Sequence, residues 1–226
     1  MSVVNNPKRG DATREALIQA AIDVFGHDGF DASSTRRIAN AAGVNQAAIG
    51  YHFGGKQGLY EAVFGHIVSQ MQIRMVPVAE RAIASLELIQ GSAAERRHMA
   101  LDLLDLVFSA FIDLFGEESA TGWVRLVLRE QQDPTPAFHI LYDGLMGRML
   151  RLVTHLVSVA SGLDEASEAC RVRTSMLLGQ VLVFHVARGT TSPHLNWNSL
   201  GQDQLTLLKQ QFRIALEAQF PRGVST

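Results

Sequence analysis

A single cysteine in 226 residues, Cys170, has no partner within the chain, so a disulfide framework is excluded and the thiol is expected to be buried as a small hydrophobe. No run of about 18 apolar residues occurs, which excludes an ordinary membrane-spanning helix. Residues 1–10 are polar, without the apolar core of a signal peptide, so the expected location is the cytoplasm, with no membrane partner. Charge of one sign is also scarce: 20 Lys and Arg face 22 Asp and Glu, for a net −2. Residues 1–60 hold six basic against five acidic side chains, and the remainder holds 14 against 17. A protein that coats nucleic acid without regard to sequence needs a broad basic face, and this balance disfavours one. The sequence also has no alternating strand pattern, internal repeat, nucleophile elbow or phosphate loop. His98, His139, His155 and His185 are scattered, without Cys or carboxylate at metal-ligand spacing, so no metal, cofactor or catalytic residue is expected. Glu130 and His139 are the nearest approach to an acid/base pair, and the expected role of both is structural.

What is present is helical period. The 47% hydrophobic content can supply a substantial core in one or two domains. Leu17, Ala20, Ala21, Val24 and Phe25 keep to one stripe and predict a first helix ending at Gly26 to Gly29. Later stripes predict helices over Val78–Gln90, Ala94–Phe115, Gly122–Gln132, Ala137–Ala160, Asp164–Arg188 and Leu200–Phe220. Gly91-Ser92, Gly116, Asp133 to Pro136, Gly162 and Gly189 to Asn198 carry the breakers between them, and Pro77 is expected to interrupt or kink the helix that begins near Lys56. The expected fold is all-α: a three-helix domain over residues 1–60, then a larger helical bundle over 61–226.

Residues 34–60 are the most specific stretch. Ser34 and Thr35 suit a helix N-cap, and Ile38, Ala39 and Ala42 lie on one face. Gly43 can close that helix in the left-handed conformation, Val44 tucks into the corner, and Asn45 caps a second helix starting near Gln46. Ile49 and Phe53 form its buried face, leaving Gln46, Ala47, Gly50 and Tyr51 outward. This is a helix-turn-helix layout, in which the second helix enters the major groove of DNA. The tail Lys8-Arg9 is read as a frayed polar terminus and Arg37 as a solvated charge.

The hydroxyl pair Ser34-Thr35, then Ile38-Ala39, Ala42-Gly43-Val44, Tyr51-His52-Phe53, Lys56 and Leu59 resemble the DNA-binding domain of TetR-family transcriptional regulators. The resemblance implies that Thr35, Tyr51, His52 and Lys56 grip the backbone of double-stranded operator DNA, since each can donate to phosphate oxygens. Arg36, Asn45, Gln46 and Ala47 take the positions that reach base edges. Gly50 departs from the pattern, because many members carry there a tyrosine that touches phosphate. Arg129-Glu130-Gln131 followed by Asp133-Pro134-Thr135-Pro136 resembles the CecR-like branch, as does Asn45 to Tyr51.

For the larger domain the resemblance implies a small-molecule effector and pairing with a second copy through the last two long helices. Phe108, Phe111, Trp123, Met146, Met149, Phe184 and His185 are the effector-pocket candidates. Met176, Gly179, Gln180, Val183, Leu208 and Phe212 are the candidates for the dimer interface. The implied function is a dimeric repressor released from a palindromic operator by its effector. The alternatives are an activator of the same fold and a helical enzyme acting on small molecules.

Overall fold

The computed structural model describes residues 7–88, 91–116 and 120–220. It is all-α, and among the described residues there is no strand. The helices are α1 Pro7–Asp28, α2 Thr35–Ala41, α3 Ala47–Phe53, α4 Lys56–Leu88, α5 Ala93–Gly116, α6 Ala120–Gln132, α7 Phe138–Leu141, α8 Gly147–Ser161, α9 Glu168–Val186, α10 Arg188–Leu195 and α11 Gln202–Gln219, with one π-helical turn at Tyr142–Met146. None is long and apolar enough to cross a membrane.

The chain forms two compact units, Met1–Gln70 with Glu118–Gly144, and Met71–Glu117 with Leu145–Thr226. Compactness therefore does not follow the division at residue 60: α6 and α7 belong with the first three helices. In the first unit Leu17, Ala21 and Phe25 of α1, Ile38 of α2, Ile49 of α3 and Leu59, Val63 and Phe64 of α4 are essentially inaccessible to solvent. The amphipathic α6 adds Trp123, Leu126 and Val127 to the buried set and packs on α1. The α1–α6 approach is close, with a glycine on each helix at the contact. A Cβ on Gly122 would stand 3.1 Å from Ile22, and one on Gly26 would stand 3.1 Å from the Gly122 carbonyl.

In the second unit α5 packs against α8, α9 and α11. Leu104, Val107, Phe108 and Ile112 meet a core that also draws Val153, Leu156 and Val157 from α8, Leu177 and Val181 from α9, and Leu205, Phe212 and Leu216 from α11. Cys170 is fully buried, with Sγ 3.5 Å from the Thr154 carbonyl, and burial pushes its thiol pKa up. Arg213 ties α11 to α5 through Asp102 at 2.7 Å, with Asp105 at 3.7 Å and Glu217 at 2.6 Å. Three carboxylates thus share one guanidinium. Burial first, and the neighbouring Asp102 and Glu217 charges, raise the Asp105 pKa against the opposing pull of Arg213. A raised folded-state value means that this group's stabilisation is complete below its unfolded pKa and is lost as pH rises through the folded value. Asp105→Asn is therefore expected to raise the melting temperature at pH 7 by about 1–2 °C and to leave it unchanged near pH 3, below the ordinary aspartate value, as read by calorimetry at the two pH values.

Three helix assignments read from the sequence need correction. Pro77 lies inside α4, so of the interruption or kink expected there, the interruption does not occur. Met71 and Met75 before it and Ala82 after it are buried, and that burial offsets the roughly 3 kcal/mol that an interior proline costs. The expected single helix over Ala137–Ala160 is instead α7, the π turn and α8. Its apolar pattern is out of step by part of a turn, which the π turn absorbs where Gly144 lies against Val68 with no room for a Cβ. The break expected over Gly189 to Asn198 contains α10, which buries no residue and so leaves no periodic trace; Asn196, at φ 55°, ends it. The last residues of the expected Val78–Gln90 helix, and the side chains of Lys8 and Arg9, lie outside the described residues.

Candidate functional site

Ser34 caps α2 by accepting from the Arg37 amide at 3.2 Å. Gly43 adopts φ 67°, a conformation open to glycine at no steric cost, and the chain turns there: its amide bonds to Asn40 and that of Val44 to Ala39. Asn45 Oδ1 then accepts from the Ala47 amide at 2.8 Å, so Asn45 fixes the start of α3. One side of the short α3 is anchored by the buried Ile49. Gln46, Ala47, Gly50 and Tyr51 are exposed, Tyr51 to 75%. Phe53 is half-buried rather than buried, with the Arg14 guanidinium 5.5 Å above its ring.

The sequence-predicted DNA residues divide by environment. Gln46 Nε2 donates to Thr35 Oγ1 at 2.9 Å, which joins the first residue of α2 to the start of α3 across the turn. Arg36 is exposed. The neighbouring Arg37 is paired with Asp28, which His27 also contacts at 2.7 Å, so it is less free than a solvated charge. His27 and Arg37 together hold the Asp28 carboxyl below the usual carboxylate range. Tyr51 meets His52 edge to face at 4.9 Å. The Lys56 ammonium stands 4.5 Å over the Phe30 ring and 3.4 Å from the Asp31 carbonyl. A Cβ built at Gly50 meets nothing within 4 Å. Gly50→Ala is therefore expected to stabilise the fold by about 0.5–1 kcal/mol in denaturant unfolding, because only the backbone freedom of glycine is lost.

A second feature of this unit lies in the Arg-Glu and proline run, whose partners the sequence pattern did not indicate. Glu130 is 1% exposed, and its carboxylate accepts from the Tyr60 hydroxyl at 2.8 Å, the Thr135 amide at 2.9 Å and the Thr135 hydroxyl at 3.0 and 3.1 Å. Burial first, and then Glu130, push the Tyr60 hydroxyl pKa far up, so it stays protonated and donating.

The second unit contains a cavity of about 320 Å³ between α5, α9 and α11. Ile112, Val181, Val183, Phe184, Leu205, Leu208, Phe212 and Ala215 give it apolar walls, with Gln180, His185 and Gln211 as the polar groups. Burial, and the nearby Arg188 charge, lower the His185 pKa, so at neutral pH the lining carries no charge. Phe184 and His185 are the pocket candidates that line it, and four interface candidates, Gln180, Val183, Leu208 and Phe212, line it with them. Phe108 is buried against Phe212 at 4.6 Å, Phe111 is half-buried beside Phe115, Met149 is buried and Met146 is half-buried. Trp123 belongs to the first unit. Met176 and Gly179 lie exposed on α9.

Residues 17–63 match the family model described as bacterial regulatory proteins, tetR family, and residues 100–218 match the C-terminal domain of the HTH-type transcriptional dual regulator CecR. The chain belongs to the TetR family. It is a DNA-binding transcriptional regulator of the kind that carries a CecR-type C-terminal domain, in a family of regulators and not of enzymes. The dual regulator CecR of Shigella flexneri is 29% identical over 210 residues, 92% of either chain. The crystal structure of FadR from Bacillus subtilis in complex with stearoyl-CoA shares the fold at TM-score 0.57 and 20% identity, over 89% of this chain and 96% of that one. AibR in complex with isovaleryl coenzyme A and operator DNA does so at TM-score 0.63 and 16% identity, over 93% and 100%.

Proposed function

We propose that this TetR-family regulator is a cytoplasmic homodimeric repressor that leaves a palindromic operator when a small-molecule effector binds. The reading rests on the arrangement around the turn, where one buried residue, Ile49, seats α3 and everything on its outer side is small, polar or exposed. Thr35, Tyr51, His52 and Lys56 hold phosphates. Arg36, Asn45, Gln46 and Ala47 meet base edges. Dimerisation is supported by the exposed apolar residues Val172, Met176, Val183 and Val186, which share one face of α9 at spacings of four, seven and three, and by Leu207 and Ile214 on α11. A pair of readers related by two-fold symmetry then meets two half-sites.

The cavity between α5, α9 and α11 is the effector site. FadR and AibR were crystallised with coenzyme A thioesters, but a lining of about 320 Å³ with no charged side chain favours a smaller, mostly apolar, uncharged molecule. An effector that binds the DNA-free state a hundredfold more tightly provides about 2.7 kcal/mol of coupling and weakens operator affinity by the same factor. Activation at some promoters is the second reading, favoured by the CecR relative being a dual regulator.

Selection of binding sites from a random duplex library with the purified protein tests the proposal. A two-fold palindrome is expected, and an enriched asymmetric site or no enrichment counts against it.

A further inference from the structure

We propose that Glu130 is a positioning residue for DNA reading: through Tyr60 and Phe30 it sets where the Lys56 ammonium stands at the foot of α4. The inference rests on the reading of Lys56 as a phosphate-gripping residue. A buried carboxylate is costly unless its oxygens are satisfied, and an apolar side chain would fill the same space at no such cost. Glu130 is nevertheless 1% exposed and satisfied by three donors, one from Tyr60 and two from Thr135. What the carboxylate adds over an apolar filler is direction. It fixes the Tyr60 hydroxyl, and with it the ring, at one point along the ring axis.

That ring is the hub of the first unit. It meets Phe25 edge to face at 5.0 Å, Phe64 at 4.9 Å and Phe30 at 4.8 Å. Phe30 is the ring over which the Lys56 ammonium rests, and Lys56 also reaches the Asp31 carbonyl one residue further along the same loop. Tyr60 lies one helical turn beyond Lys56 on α4, so the two share a face. The Arg129 guanidinium lies against Gly29, where any Cβ would strike it, so the last turn of α6 holds the loop after α1 at a second point. Residues 129–135 therefore finish a device whose other parts lie before residue 61.

The test uses the palindromic duplex selected by the wild-type protein, titrated over a range of salt concentrations, with thermal melts of every variant. Tyr60→Phe keeps the ring and removes the bond to Glu130. It is expected to weaken binding about 5–10-fold and to lower the salt slope by about 1 per protomer, as Lys56→Ala does. Added to Lys56→Ala, it is expected to change affinity less than about twofold. Glu130→Gln is the second variant and is expected to move the salt slope in the same direction. A merely structural role would lower the melting temperature and leave the salt slope of the folded protein unchanged, and that result overturns the proposal. So does a Tyr60→Phe effect of equal size with and without Lys56. If the wild type selects no duplex, the reading of the regulator itself fails, an outcome distinct from variants that bind a selected duplex as the wild type does.

Discussion

Gln46→Ala is expected to relax sequence preference at one base pair in each half-site, at a cost of about 1–3 kcal/mol against the preferred base. Gln46 carries an amide that can bond a base in two places, and the Thr35 hydroxyl already holds one end of it at 2.9 Å. That bond orients the side chain in the free protein, so less conformational freedom is lost on binding. Lys56→Ala should behave differently, weakening binding to every sequence alike, because an ammonium on a phosphate carries no sequence information. Parallel site selection with the two variants checks both statements. A Gln46→Ala protein that loses affinity uniformly and keeps its preferred sequence would remove Gln46 from the base-reading set.

The second large effect is expected at α9. Met176 is 61% exposed and Val183 39% exposed, seven residues and two helical turns apart, with Gly179 between them. Replacing both by glutamate places up to four carboxylates in the apolar centre of a two-fold interface, where each would be desolvated beside a like charge. The double variant is expected to sediment as a monomer at micromolar concentration and to lose operator affinity by at least about a hundredfold, since half-site binding alone remains. Val172 and Val186 extend the same stripe and give a graded series. If the double variant sediments as the wild type does, pairing uses another face.

The helix-turn-helix was legible because each of its decisive residues acts on its near neighbours. Ser34 caps three residues on, Gly43 turns the chain where it stands, and Asn45 bonds two residues on. Such effects survive in a linear string. The Tyr60–Glu130 bond joins residues 70 apart, and nothing near either one announces it. The Arg-Glu and proline run was visible as a pattern, but its purpose was not: Thr135 had to fold back onto Glu130 before the carboxylate had its partners. Aromatic residues were visible too, yet the sequence could not sort Phe108, which closes the core, from Phe184, which lines a cavity, because both lie on helices with apolar neighbours on either side. The cavity draws on α11 at positions 205, 208, 212 and 215, a spacing that an ordinary core stripe shares.

The first unit is built from two stretches of chain separated by nearly fifty residues, and this bears on how such regulators can be recombined. A chimaera that transplants residues 1–70 onto another member's sensing portion leaves behind the helix that covers α1 through its paired glycines and the acid that seats Tyr60. The recipient's own counterpart of 118–144 would have to fit a foreign surface, so specificity is transferable only when both stretches travel together. Exchange of α3 alone leaves both stretches in place, and the packing position that a donor helix must keep is the buried Ile49.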